Sequence, residues 1–392
     1  MSVSLSPMRT FPHIRRAAAI WLWQRDKEAF QMKKPRTWTR ALTPGLVFQS
    51  VLVGGGYGTG AEIARYFGSH GLLGGLLGLG VTAAAWALLC AVTFEFARVF
   101  RTYDYGSLMR RLLGRAGFLY DFCFYAMLLL VLGVVNATAG ASLHALTGLP
   151  SWVGVALLSA GVILLVLKGT ETIERALSLW AYVLYAVFLL FLAAVFLRFG
   201  DAIVFELGRR EIGPGWFSGG LKYAAYNLLC VSMILYTLRD LRTRREAVTC
   251  GILAGILGAA PALPLLLAMG CDLPAALASE TPVTAVFERL NLPWLYALFE
   301  IVLFGTLIET AAGFIKALED RVQRSLFRGR SFDLARPLLT GAVTALGISV
   351  STFGLTELID KGYGAICYGA LFLFAIPMLT VGVRMLRRVG RP

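Results

Sequence analysis

Ten apolar runs dominate this chain, each long enough to cross about 30 Å of hydrocarbon as a helix. They fall near 43–67, 71–98, 117–146, 151–167, 173–198, 217–238, 247–270, 293–318, 336–353 and 362–386. A bilayer offers no water to satisfy backbone N–H and C=O groups, so such runs must bond internally, as helices. The fold class read from the sequence is therefore an all-α polytopic membrane protein with ten transmembrane helices. Composition agrees, with 57% of the 392 residues hydrophobic, 15% charged and a mean hydropathy of +0.70.

The net charge of +14 is not a nucleic-acid signal, because of where it lies. With the N-terminus in the cytoplasm, the ten-span map assigns 30 of the 37 Lys/Arg residues to one side. The other side receives Arg65, Arg198, Arg209, Arg210, Lys222, Arg289 and Lys361. That asymmetry is the positive-inside pattern, and it places both termini in the cytoplasm. The lipid bilayer is thus an expected partner and nucleic acid is not; oligomeric state is left open.

The six cysteines fit no CxxC spacing and read as small packing residues. His13, His70 and His144 are widely scattered, so nothing points to a metal centre. Residues 1–40 form a basic extension without a secretory signal. Its apolar stretch Ala17–Trp23 suits an amphipathic helix on the membrane surface, and a start at Met32 is the plainer alternative. The ten-span domain is residues 41–390.

Within the first apolar run, residues 54–60 read Gly-Gly-Gly-Tyr-Gly-Thr-Gly. Each glycine costs about 1 kcal/mol against alanine in a helix interior, so five in seven residues break the helix. Irregular backbone at membrane depth is tolerated where it is buried in protein or lines a cavity. Secondary transporters build solute and ion sites at such breaks. Close helix packing through Gly56 and Gly60 is the structural alternative, and it leaves the intervening glycines unexplained.

Ten spans divide into five plus five, and an odd number makes the second half enter from the opposite face. Repeat one would cover about 43–198 and repeat two about 217–386, an inverted repeat with spans 1 and 6 both broken. Span 6 carries no central glycine, but Tyr223, Tyr226, Asn227 and Ser232 are an unusual polar insertion. Asn227 can bond freed backbone groups, and a polar contact between helices is the alternative. Two short helical patterns lie between spans: Val283–Leu290, a cap or a plain surface loop, and Tyr105–Leu113, an interfacial helix.

The run Gly54-Gly-Gly56-Tyr57-Gly-Thr59-Gly60-Ala-Glu62-Ile63 resembles the first span of the bacterial YkvI-like membrane proteins, with their G-x-G-[FY]-[AG]-[ST]-G-x-E-[IL] motif. Tyr223-x-x-Tyr226-Asn227 is similar to their sixth span. The resemblance covers about residues 40–390. It implies the amino acid-polyamine-organocation superfamily, a LeuT-type five-plus-five fold and a bacterial inner membrane, and it names no substrate. The basic N-terminal extension departs from the family.

Ionisable groups inside a span are expensive and usually functional. Glu62, just beyond the break, suits an outer gate, a proton site or a contact to a cationic group of the solute; pairing with Arg65 is the structural alternative. Glu300 and Glu309 in span 8 lie nine residues apart, on opposite helix faces. Glu309 has Thr306 and Thr310 beside it, hydroxyls and a carboxylate that suit a hard monovalent cation. In the LeuT-type fold span 8 faces the break in span 1, so the resemblance implies a sodium site at Gly54, Tyr57, Glu309 and Thr310, or a proton carrier at Glu309. Glu62 and Thr306 complete the candidate ion or proton set. The solute would meet Gly55, Gly56, Tyr57, Gly58, Thr59, Tyr223, Tyr226, Asn227 and Asn136. Thr138 and Ser142 in span 3, and Tyr363 and Tyr368 in span 10, are further candidates for the pathway, or hydrogen-bond glue. Glu95 and Arg98 are expected to pair with each other.

No dinucleotide motif, P-loop or Ser/His/Asp grouping occurs, so the chain does not read as an enzyme and needs no cofactor beyond a coupling sodium ion. The reading is a secondary active transporter of a small organic solute, an amino acid or related amine, driven by sodium or proton entry. A transporter-like sensor that binds without transport, and a channel, stand as alternatives.

Overall fold

The described part of this chain is almost entirely helical. The structure, a computed structural model, describes residues 37–168, 170–326, 335–354 and 357–389. The chain divides into two compact units, Met1–Arg40 and Ala41–Pro392, and the second is described below. The expectations for Ala17–Trp23 and Met32 lie outside the described residues.

The first apolar run is three pieces: α1 (Ala41–Leu52), the single turn α2 (Gly55–Gly58) and α3 (Ala61–Tyr66). Then follow α4 (Leu72–Phe100), the amphipathic α5 (Tyr105–Leu113), α6 (Gly117–Thr147) and α7 (Ser151–Lys168). The α5 helix starts where expected because Asp104 caps it, accepting from the Ser107 amide at 3.0 Å. Helix α8 (Thr170–Gly208) kinks at Phe199. Helix α9 (Trp216–Asn227) passes into tighter 3₁₀ turns over Leu228–Met233 and Leu235–Leu238. Helix α10 (Arg244–Ala259) opens with a Thr243/Glu246 capping box and gives way at Pro261 to α11 (Ala262–Met269). Two short helices, α12 (Leu273–Ala278) and α13 (Pro282–Leu290), precede α14 (Pro293–Leu326) and α15 (Ala335–Ser351). The last run opens with a π-helical turn, Leu358–Tyr363, followed by α16 (Gly364–Ala370) and α17 (Val383–Val389), with further π turns between them.

Among the described residues, seven helices are long and apolar enough to cross a membrane. The sequence counts ten runs, and the three others are interrupted or short. The first is broken at glycine, the sixth changes from α to 3₁₀ geometry at Asn227, and α15 has 17 residues.

Close approach of backbones fixes the helix arrangement around the breaks. Gly251 and Gly255, one turn apart on α10, lie directly on α4. A Cβ at Gly255 would fall 2.2 Å from the Ala87 amide nitrogen, and one at Gly251 2.4 Å from that of Ala91. On its other flank α4 holds α9: Thr82 Oγ1 donates to the Gly220 carbonyl at 2.8 Å, and Trp86 Nε1 to the Ala224 carbonyl at 3.0 Å. Small residues let backbones meet in lipid, where the hydrophobic effect does not drive helices together. All six cysteines are free and buried among these helices, as small packing residues.

Candidate functional site

The glycine run ends α1 and leaves its last carbonyls looking for donors. Gly54 takes an extended conformation (φ −97°, ψ −163°), and its amide turns back to the Leu52 carbonyl at 2.8 Å. Helical continuation would have sent that amide to Ser50. Instead Thr310 Oγ1, on α14, approaches the Ser50 carbonyl at 3.3 Å and the Val53 carbonyl at 3.2 Å. A Cβ at Gly54 would lie 3.5 Å from Thr310 Cγ2. Next to Thr310 in sequence, Glu309 is buried, and its Oε2 has no hydrogen-bond partner among the described residues.

Beyond the break the chain makes one tight helical turn and enters α3 through Thr59 and Gly60. Gly55 rests on α6, where a Cβ would meet Thr138 Oγ1 at 2.4 Å. Thr59 Oγ1 donates to the Gly55 carbonyl at 3.0 Å, holding the turn closed. Gly60 sits in the left-handed region (φ 82°), which glycine enters without strain. The short helix α13, for which the sequence leaves a cap or a plain surface loop open, touches this turn: its Val283 amide donates to the Thr59 carbonyl at 3.0 Å. Glu62, in the first turn of α3, folds back over Gly56, whose Cβ would stand 2.5 Å from Glu62 Oε1. Its Oε2 accepts from the Tyr226 hydroxyl at 2.7 Å.

Tyr226 belongs to an aromatic cluster that the α4–α9 contact builds. Its ring stacks on Tyr363 at 4.5 Å with planes 8° apart, and lies 5.5 Å from Tyr223 and 5.7 Å from Tyr66. Tyr223 also meets Tyr57 at 6.3 Å, Phe67 at 5.0 Å and Trp86 at 5.7 Å. The hydroxyls of Tyr57 and Tyr223 are buried without a partner at hydrogen-bonding geometry among the described residues. Buried polar groups of that kind are rare in folded proteins and call for an explanation.

The structure thus brings Gly54 to Gly58, Thr59, Glu62, Tyr223 and Tyr226 to one place, with Gly54 against Thr310. Tyr57 lies with the aromatic cluster. Asn227 ends α9 with its Nδ2 on the Tyr223 carbonyl at 3.1 Å. Thr306 Oγ1 donates to its own helix, at Val302. Asn136 is not at the break: its Nδ2 bonds the Leu132 carbonyl and faces Gly347 of α15. Glu300 lines a separate cavity of about 200 Å³ with Ser142 and Phe304. Tyr363 is buried and Tyr368 is 60% exposed. Glu95 pairs with Arg98 through two bonds of 2.8 Å. Arg65 is exposed, and the hydrogen-bond donor at Glu62 is Tyr226.

Sequence reasoning missed Ser50 and Val53, which act through backbone carbonyls and leave no mark in residue type. It also missed Tyr66, although it stands one helical turn after Glu62 and so shares its face. Gln49, fully buried with both amide atoms unpartnered among the described residues, was legible as a lone amide in an apolar helix.

Helices interrupted at mid-course and packed through their breaks define the LeuT fold of secondary transporters, and the solved structures agree. This chain matches a Na+-coupled sialic acid symporter in a substrate-bound outward-open state with a TM-score of 0.66 and 10% identity, over 87% of this chain and 79% of the other. It matches MhsT in complex with L-phenylalanine at 0.63 and 16%, over 87% and 96%. The manganese transporter of Eremococcus coleocola matches at 0.62 and 16%, over 88% and 80%. In sequence the chain is 23% identical over 336 residues to the uncharacterized membrane protein YkvI of Bacillus subtilis (strain 168), covering 83% of this chain and 91% of that protein. The resemblance read from the glycine run therefore holds over most of the chain's length. No protein-family model matches.

Proposed function

We propose that this chain is a secondary transporter of a small organic solute, an amino acid or related amine, powered by sodium or proton entry. The arrangement is ten spans in two inverted halves, about 43–198 and 217–386, in a bacterial inner membrane with both termini cytoplasmic; residues 1–40 are its basic cytoplasmic extension. The solute sits where Gly55–Thr59 faces Tyr223 and Tyr226. The transporter folds of the matched structures support this reading.

One observation carries the coupling: Thr310 Oγ1 meets the Ser50 and Val53 carbonyls at the break, and Glu309, next to Thr310 in sequence, is a buried carboxylate whose Oε2 has no partner among the described residues. Neutral oxygens with one carboxylate at hand suit a hard monovalent cation. When the cation enters, the Thr310 hydroxyl rotates its hydrogen away and offers a lone pair. Binding there ties α1 to α14, so the cation stabilises one conformation of the broken-helix bundle, and its gradient drives the solute.

The test is thermal stability of the purified protein in sodium chloride against potassium chloride at equal ionic strength. A ligand that binds only the folded state raises stability by about 2.7 kcal/mol at 100 times its dissociation constant. A sodium-specific rise that Thr310→Ala abolishes and Thr310→Ser retains supports the site. Equal stability in the two salts, with uptake driven by a proton gradient and lost in Glu309→Gln, moves the coupling to a proton at Glu309.

A further inference from the structure

Resting on the transporter reading and narrowing its cargo, we propose that the central site takes an organic cation, a quaternary or substituted ammonium, with Glu62 as counter-charge and the tyrosine rings as its cage. Three features of the site converge on that chemistry. The acid at the centre is a buried carboxylate that accepts from a neutral hydroxyl, that of Tyr226. Around it stand aromatic faces: Tyr57, Tyr66, Tyr223, Tyr226 and Tyr363 form one contiguous cluster with ring centroids 4.5–6.3 Å apart. The Tyr226 hydroxyl sits on Glu62 Oε2 at 2.7 Å while the Tyr226 ring touches Tyr66, Tyr223 and Tyr363, so the carboxylate and the rings share one space.

Aromatic faces carry negative charge in their quadrupoles and attract a desolvated cation; cages of this kind recognise quaternary ammonium groups. An anion would bring its charge toward Glu62 and be repelled. In the conformation described, Tyr226 acts as the plug: its hydroxyl holds the carboxylate and its ring lies flat on Tyr363. The cation replaces that hydroxyl and inserts between the rings. On the face bearing α13 a cavity of about 300 Å³ is lined by Ala61, Ala64, Arg65, Glu280, Pro282 and Ile359. Ile359 is also the side chain nearest Gly56 from the last run, at 2.9 Å from where its Cβ would be, so it divides this cavity from Glu62.

The experiment uses choline and its uncharged carbon isostere, 3,3-dimethyl-1-butanol, as probes on the full-length purified protein, read by thermal shift and titration calorimetry. Choline is expected to bind and the isostere not to. Glu62→Gln should weaken choline by about tenfold or more, and Tyr363→Leu by about three- to tenfold, the scale of a desolvated cation–π contact. Tyr226→Phe keeps the ring but frees the carboxylate, and should tighten choline several-fold. Equal binding of choline and isostere, unchanged choline affinity in Glu62→Gln, or no response to choline overturns the proposal. Proteoliposome flux separates it from the reading it rests on. Choline binding without gradient-driven uptake keeps the cation site and removes the transporter. Uptake of an uncharged or anionic solute without choline binding keeps the transporter and removes the cation site.

Discussion

The Tyr226 hydroxyl donates a 2.7 Å hydrogen bond to the Glu62 carboxylate, joining two broken helices 164 residues apart in sequence. Both side chains are buried, and the bond spans the centre of the fold rather than its rim. Glu62 is where the helix resumes after the glycine break, and Tyr226 stands two residues before α9 tightens into 3₁₀ geometry. The contact therefore reports on the relative position of the two interrupted helices.

Removing that donor should destabilise the protein. Tyr226→Phe leaves the ring stacked on Tyr363 but strips a buried carboxylate of its partner, a loss of about 1–3 kcal/mol. Tyr57→Phe is the matched control, because the Tyr57 hydroxyl has no partner to lose among the described residues. Thermal denaturation in detergent should show a lower midpoint for Tyr226→Phe and an equal or higher one for Tyr57→Phe. Equal losses in the two would mean that the Glu62 bond contributes nothing.

The glycines of the break are not interchangeable. A methyl at Gly56 would meet Glu62 Oε1 at 2.5 Å, Glu62 Cγ at 2.9 Å and Ile359 Cδ1 at 2.9 Å. A methyl at Gly58 would meet the free end of Leu303, at 2.0 Å from Cδ1, which can rotate away. Gly56→Ala should therefore displace the carboxylate and weaken choline binding by about tenfold or more, near 1.4 kcal/mol. Gly58→Ala should leave the affinity within about threefold and lower thermal stability by about 1–3 kcal/mol through overpacking. Calorimetry on both variants checks the order; the reverse order would place the solute away from Glu62.

How much of this was legible beforehand depends on which physical signal each part uses. Helical runs and the glycine break are written in residue type, because bilayer thickness and helix propensity act on composition directly. The irregular sixth run was legible at Tyr223, Tyr226 and Asn227 because polar groups in a lipid-facing run need a reason. The partners of those residues were not. That Glu62 bonds Tyr226 rather than Arg65 depends on how α4 carries α9 toward the break through Thr82, Trp86 and Gly78. Such register between distant helices leaves no periodic trace. Asn136 is a different case: its Nδ2 bonds its own helix at Leu132, one turn back, while its buried Oδ1 has no partner among the described residues. Nor could sequence show that Ser50 and Val53 matter, since backbone carbonyls are the same in every residue.

The contact between α4 and α10 should be the least tolerant in the fold. At Gly255 a methyl would lie 2.2 Å from the Ala87 amide nitrogen and 2.5 Å from its Cα, and at Gly251 2.4 Å from the Ala91 Cα. These are backbone atoms and cannot rotate aside as Leu303 can. Gly255→Ala is expected to force the helices apart, lowering stability by about 2 kcal/mol or more despite alanine's better helix propensity. Gly80, with nothing within 4 Å of its would-be Cβ, is the control on the same α4, and Gly80→Ala should be neutral or stabilising. Thermal midpoints of the two variants, and monodispersity on gel filtration, decide it.

At the opposite face, Glu319 of α14 joins three helices. Its Oε2 accepts from Arg336 Nε at 3.0 Å and its Oε1 from Thr340 Oγ1 at 2.9 Å, both on α15, while Arg336 Nη2 donates to the Val166 carbonyl of α7. The Glu319 side chain is 2% exposed. Arg336→Met leaves that carboxylate with Thr340 as its hydrogen-bond donor and should lower stability, by less than the ~3–5 kcal/mol of a fully buried pair because the Arg336 side chain is 24% exposed. Replacing both partners, Arg336→Met with Glu319→Leu, removes the desolvated charge along with its counter-ion and should recover most of the loss. A double-mutant cycle on thermal stability in detergent checks it. If the double variant is as unstable as Arg336→Met alone, the arginine acts through its bond to the α7 carbonyl rather than by balancing Glu319.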